Sequence, residues 1–156
     1  MGRTFGEALF KSQLAAGGTL PPKGTVFLSV KDGDKPRTVE VARLLADMGY
    51  TLVGTRGTAA AVEAAGIPIK VVNKVKDGRP HVVDLIKNGN IDLVITTVPE
   101  SRAQIADSRS IRTTALAQRV TYYTTIAGGR AAVEGMKHLD RIEVYDLQGL
   151  HRSLAV

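Results

Sequence analysis

Gly24-Thr25-Val26-Phe27-Leu28-Ser29-Val30-Lys31-Asp32-Gly33-Asp34-Lys35 is the stretch on which the fold of this chain turns. Val26, Phe27 and Leu28 are consecutive apolar residues, without the polar alternation of a half-exposed strand. Such a run suits a strand covered on both faces, the situation of strands in parallel sheets. The Lys31–Lys35 segment, with its Gly and Asp residues, reads as a turn. From Arg37 to Met48 the apolar residues Val41, Leu44, Leu45 and Met48 fall on one helical face, and Gly49 supplies the stop. The unit is therefore strand, turn, helix.

The same unit recurs along the chain. Thr51–Val53 reads as a second strand and Thr58–Ala65 as a short helix closed by Gly66. Ile69–Val72 reads as a third strand. Pro80 opens a helix that runs through Val82, Val83, Leu85 and Ile86 and ends at Gly89, the usual placement of Pro and Gly at helix ends. Leu93–Thr96 is a fourth strand. Ile111–Gln118 is helical, with Asp107 or Ser108 as its N-cap. Val120–Tyr123 is a fifth strand, and Ile126–Lys137 a last long helix weakened by Gly128-Gly129. Ile142–Tyr145 alternates and reads as an edge strand. Apolar strands separated by helices predict an α/β fold: three layers, α/β/α, around a five-stranded parallel sheet. Upstream, Phe5–Leu14 has a helical apolar pattern that dissolves into Gly17-Gly18 and Pro21-Pro22, strong breakers. Residues 1–22 are thus expected to be a lead-in segment or linker from an upstream domain, and residues 23–156 the domain itself.

Composition narrows the function. A length of 156 residues fits one domain with a substantial core. The absence of cysteine excludes disulfides and thiol chemistry, and the three histidines lack ligand spacing, so no metal site is expected. No apolar run approaches a membrane span, and a cytoplasmic location is expected, with no membrane partner. The net charge of +6 fits either nucleic-acid binding or a small anion pocket, and an aromatic content of 4% argues against the former.

In a parallel sheet, ligands sit beyond the carboxyl ends of the strands. The residues there are Ser29, Lys31 and Lys35 after the first strand, and Gly54-Thr55-Arg56-Gly57-Thr58 after the second. Asn73 and Lys74 follow the third, Thr96-Thr97-Val98-Pro99 the fourth, and Thr124-Thr125 the fifth. The set is rich in hydroxyls, lysine and glycine, which is the chemistry of a phosphate pocket with Thr58 at a helix N-terminus. A plainer reading makes Thr55 and Thr58 helix caps and leaves the lysines solvated. The chain has neither a dinucleotide-binding glycine fingerprint nor a nucleophile elbow, and no carboxylate stands out as a base.

Seven motifs carry a resemblance. They are Leu28–Lys35, Gly54–Thr58, Val72-Asn73-Lys74-Val75, Gly78-Arg79-Pro80-His81, Ile86-Lys87-Asn88-Gly89, Asp107-Ser108-Arg109 and Thr124-Thr125. In that order they resemble the C-terminal regulatory domain of the large subunit of carbamoyl-phosphate synthase, of the methylglyoxal-synthase-like superfamily. The resemblance implies a strand order of 3-2-1-4-5 and an allosteric site for nucleoside monophosphates of the UMP and IMP type. It implies phosphate contacts from Lys35, Thr55, Thr58 and Lys74. Ser29, Thr96, Thr97 and Val98 would lie near ribose or base, and Tyr122 and Thr124 in an ornithine-binding region. It implies no catalytic residue and no cofactor in this domain. ATP, Mg and K would be used by the synthetase domains of the parent ligase, whose product feeds pyrimidine and arginine biosynthesis. The implied partners are the rest of the large subunit and the small glutaminase subunit. The chain departs from enteric members at Thr96-Thr97-Val98, where they carry Asn-Thr-Thr, and at Tyr123, where they carry Asp. Two enzymes resemble the chain less. One is methylglyoxal synthase acting on dihydroxyacetone phosphate, whose Gly-Asp motif is unmatched here. The other is the purine-pathway cyclohydrolase domain.

Overall fold

The computed structural model describes residues 1–97 and 102–154. Strand β1 (Thr25–Ser29) lies at the centre of the sheet, paired in parallel with β2 (Thr51–Gly54) on one side and β4 (Leu93–Thr96) on the other. The outer strands are β3 (Lys70–Val71) and β5 (Thr121–Tyr123), giving the order β3-β2-β1-β4-β5. The strand period of two divides the β1 side chains between two cores. Val26 and Leu28 enter the core built with helices α1 (Phe5–Ala15), α2 (Lys35–Asp47), α3 (Arg56–Glu63) and α6 (Ile126–Met136). Phe27 enters the opposite core, with Val82, Val83 and Ile86 of α4 (Val82–Lys87) and Ile111 and Ala115 of α5 (Arg102–Ala117). The three-layer parallel architecture expected from the sequence is therefore the one observed.

Several local readings are corrected. Ile142–Tyr145 joins no strand, and a helix not foreseen, α7 (Leu147–Leu154), follows it. Asp146 opens that helix by accepting the Gly149 N–H at 2.6 Å. Helix α5 begins at Arg102, so neither Asp107 nor Ser108 is its N-cap. Helix α4 begins at Val82 instead of Pro80: His81 is its N-cap, and its backbone N–H donates to Asp84 Oδ2 at 3.1 Å. Helix α2 starts at Lys35 with Pro36 in its first turn, two residues earlier than read, after a 3-10 turn over Asp32–Asp34.

Two glycines of α6 serve packing. A Cβ on Gly129 would lie 2.9 Å from Ile95 Cγ2, so glycine lets α6 settle onto β4. A Cβ on Gly135 would lie 2.8 Å from the Gly6 carbonyl oxygen, where α1 crosses α6. The intrinsic cost of Gly129 and Gly135 in this helix is thus offset by close tertiary contact. The N-terminal segment packs here through Phe10, which is buried, and Tyr123 Oη donates to Gln13 Oε1 at 2.9 Å.

Glu7 in α1 is a buried carboxylate. It accepts from Lys11 Nζ at 2.6 Å and from the Arg3 backbone N–H at 2.7 Å. The Lys11 hydrogen bond chiefly holds its carboxyl down at about 2, from the ordinary 4.5. A depressed carboxyl stabilises the fold above its unfolded pKa and loses that contribution as pH falls toward the folded one. Acid should therefore destabilise α1 between about pH 4.5 and about pH 2. Glu7→Gln should flatten that part of the pH profile of the thermal midpoint. Parallel profiles for the two proteins would remove Glu7 as the cause. Lys11 also lies 4.1 Å from the ring centre of Tyr145, which joins the segment before α7 to α1.

Candidate functional site

The carboxyl ends of β1, β2 and β4 meet the N-terminal ends of α2 and α3, and a hydroxyl network forms there. Thr55 is the N-cap residue of α3, yet its side chain makes no capping bond. Its hydroxyl instead donates toward Thr58 Oγ1 at 3.2 Å and lies 3.4 Å from Ser29 Oγ. Thr58 Oγ1 also accepts the backbone N–H of Val30 at 3.1 Å, tying the head of α3 to the end of β1. Both threonines are buried. Across the network, Thr97 Oγ1 accepts the Lys31 N–H at 2.9 Å, and the Thr97 N–H donates to the Ser29 carbonyl at 3.0 Å. The reading of these threonines as mere caps of α3 does not hold, because the first turn of that helix is left without a side-chain cap. Its N–H groups carry the partial positive charge of a helix start.

Two hollows flank Lys74. One, of about 170 Å³, is lined by Ser29 to Asp32, Lys74, Thr96, Thr97, Asp107, Ser108 and Ile111. The other, a groove of about 460 Å³ at the head of α3, is lined by Arg56, Gly57, Asn73, Lys74 and Asp77. Lys74 is fixed from its own backbone, whose N–H donates to Asp77 Oδ2 at 3.3 Å. Lys35 reaches over from α2: its Nζ would stand 3.6 Å from a Cβ on Gly57, an ordinary contact distance that sets it beside the head of α3. Lys35 is also paired with Asp32 Oδ1 at 2.8 Å, and that bond is the main reason the Asp32 carboxyl is held below its usual range.

The tertiary structure thus brings Ser29, Lys35, Thr55, Thr58, Lys74, Thr96 and Thr97 to one end of the sheet. Val98 lies outside the described residues. Tyr122 and Thr124 do not line either hollow: Tyr122 packs against the α4–α5 core, and Thr124 is exposed beyond β5. Two site residues escaped the sequence reading. Ser108 is buried and Asp107 half-buried on α5, both line the cavity, and Ser108 Oγ and Asp107 Oδ2 are buried without a hydrogen-bond partner among the described residues. Their Asp-Ser sequence has the composition of a cap, which masked the alternative of a polar pair inside a longer helix.

The site therefore offers lysines, hydroxyls and a helix N-terminus, and beside them acceptors unused among the described residues. The first suits an anion, since ammonium and backbone N–H groups form the stronger charge-assisted hydrogen bonds. The second suits groups that donate, because a buried polar atom left unpaired costs about 1–3 kcal/mol.

Comparison with known proteins gives the family and the fold. The family model for the MGS-like domain matches residues 37–124. The carbamoyl phosphate synthase large chain of Ralstonia nicotianae is 75% identical over 154 residues, covering 99% of this chain and 14% of that protein. The corresponding large chains of Pseudomonas syringae pv. tomato and Neisseria gonorrhoeae are 49% and 47% identical over the same share of each. The chain thus spans about one seventh of the length of these relatives. Among solved structures, the methylglyoxal synthase of Elizabethkingia anophelis superposes with a TM-score of 0.58 at 17% identity, over 85% of this chain and 93% of that one. That likeness establishes the shared fold. With the sheet order and the matched segment in agreement, the chain belongs to the MGS-like domain family, in the form found in carbamoyl phosphate synthase large chains.

Proposed function

We propose that this chain is the allosteric domain of a carbamoyl-phosphate synthase large chain. It binds nucleoside monophosphates of the UMP or IMP type at the strand ends and so tunes carbamoyl phosphate synthesis for pyrimidine and arginine formation. The domain supplies no catalytic group of its own. ATP, Mg and K belong to the synthetase domains, and its working partners are the rest of the large chain and the glutaminase subunit, in the cytoplasm. Lys35 and Lys74, with Thr55 and Thr58, hold the phosphate at the head of α3. Ser29, Thr96, Thr97 and, beyond the described residues, Val98 face ribose or base. Effector control then takes the form of a reciprocal coupling between sites, typically about 1–3 kcal/mol. An ornithine contribution at Tyr122 and Thr124 would have to work without the carboxylate that enteric members carry where this chain has Tyr123.

The observation that carries this reading is that two kinds of polar group meet around Lys74. The groove at the head of α3 offers Arg56 and Lys74 beside a helix start, and the adjoining cavity, which Lys74 also lines, offers Asp107 Oδ2 and Ser108 Oγ, which have no hydrogen-bond partner among the described residues. A nucleotide likewise carries an anionic group together with O–H or N–H donors. Isothermal titration with UMP and IMP tests the reading. Ser108→Ala should weaken the bound nucleotide roughly five- to thirtyfold, the consequence of about 1–2 kcal/mol for one buried hydrogen bond. Its thermal midpoint should stay the same or rise, since the hydroxyl has no protein partner to lose. Failure of both nucleotides to bind at millimolar concentration would overturn the proposal.

A further inference from the structure

We infer that the Asp32 carboxylate is the site's own counterion, an anion that a ligand phosphate must displace from Lys35 in order to bind. The inference rests on the phosphate reading of the site and adds a residue that governs its charge selectivity.

Three observations support it. Asp32 stands directly after β1, lines the cavity, and places Oδ1 2.8 Å from Lys35 Nζ. The charge of Lys74 also acts on this carboxyl, so Asp32 stands within the field of both lysines. Finally, the carboxylate is not what closes its turn. Its side chain is 95% exposed, the turn it belongs to is closed by the backbone bond from Asp34 N–H to the Lys31 carbonyl at 3.0 Å, and no side chain caps that turn. A surface turn would be built equally well with asparagine. The acidic residue matters only to the lysines it faces.

The consequence is an exchange of anions. Lys35 cannot give its full charge both to Asp32 and to an incoming phosphate. An exposed pair such as this one is weak, so it does not block the site. It does subtract from every ligand. A phosphate dianion, which offers more charge and more acceptors than a carboxylate, outcompetes Asp32 more readily than a monoanion does. Asp32 thereby biases the site toward terminal phosphates.

The test is a double-mutant cycle on the 156-residue chain, titrated calorimetrically with UMP, IMP and inorganic phosphate. Asp32→Asn should tighten binding about two- to fivefold at low salt, the effect shrinking as salt screens the exposed charges. In a Lys35→Ala background the same substitution should bring little or no gain. Equal or weaker binding by Asp32→Asn, while the unmodified chain binds a nucleotide, would overturn the counterion and leave the nucleotide reading intact. A gain that persists in full without Lys35 would overturn it too, because the effect would then be general charge. If no nucleotide binds but Asp32→Asn gains affinity for inorganic phosphate that depends on Lys35, the counterion stands and the nucleotide reading falls. Absence of any phosphate binding by every variant would remove both.

Discussion

Lys74→Ala is expected to lose about tenfold to hundredfold in affinity for a nucleoside monophosphate, while the thermal midpoint of the domain stays within a few degrees of its original value. The size follows from one charge-assisted hydrogen bond, worth about 1.5–3 kcal/mol, at tenfold per 1.4 kcal/mol. Lys74 is the residue shared by the cavity and the groove at the head of α3, so a ligand that occupies both must pass its ammonium. Stability should be spared because the fixed part of Lys74 is its backbone, held by Asp77 Oδ2, and alanine keeps that N–H. Lys74→Arg should recover part of the affinity, since it restores the charge but offers a planar fork instead of a compact ammonium. The check is calorimetric titration of the three proteins beside their unfolding curves. An affinity unchanged in Lys74→Ala would take Lys74 out of the site. A large fall in the thermal midpoint would show that the lost affinity came from the fold.

Phe27→Ala should have the largest effect on the fold itself. Phe27 is fully buried at the middle of β1, in the core shared with Val53, Val94, α4 and α5. Removing a buried phenyl ring costs about 3–5 kcal/mol through lost burial and the cavity left behind. That is a large part of the roughly 5–15 kcal/mol that holds a domain of this kind together. At about 2–4 °C per kcal/mol for a chain of this size, the thermal midpoint should fall by roughly 10 °C. Circular dichroism during heating measures it. A shift of less than about 3 °C would mean that the α4–α5 layer contributes little to the cooperative unit. Since Val26 and Leu28 point to the other core, the flanking substitution Leu28→Ala probes the opposite layer in the same way.

The central part of the fold was legible because its elements obey simple periods. A continuous apolar run of three residues in β1 and in β4 forces coverage on both faces, and the helical spacing of Val41, Leu44, Leu45 and Met48 supplies one of the covers. The strand-end position of Ser29, Thr55, Thr58, Lys74, Thr96 and Thr97 follows from that alone, since every parallel strand ends on the same side. The errors lie where a residue type has two uses. Asp-Ser at 107–108 has the composition of a helix cap and instead faces a cavity from within α5. The period-two pattern of Ile142–Tyr145 finds no strand to pair with, and Tyr145 docks instead on Lys11 of α1.

The sequence by itself therefore determined the class of fold and the end of the sheet at which its hydroxyls and lysines gather. These depend on local period and on chain direction. Only the tertiary structure decided which polar groups share one site and which are already engaged. Helix α5 packs against α4 and β5, and there Asp107 and Ser108, without partners among the described residues, line the cavity that Lys74 reaches from the segment after β3. Likewise, the turn after β1 sets Asp32 against Lys35, so a lysine that reads as free in sequence is already shared with a carboxylate. Hydrogen bonds and ion pairs act over a few ångströms, and distances of that size between separate segments exist only once the sheet has brought their ends together.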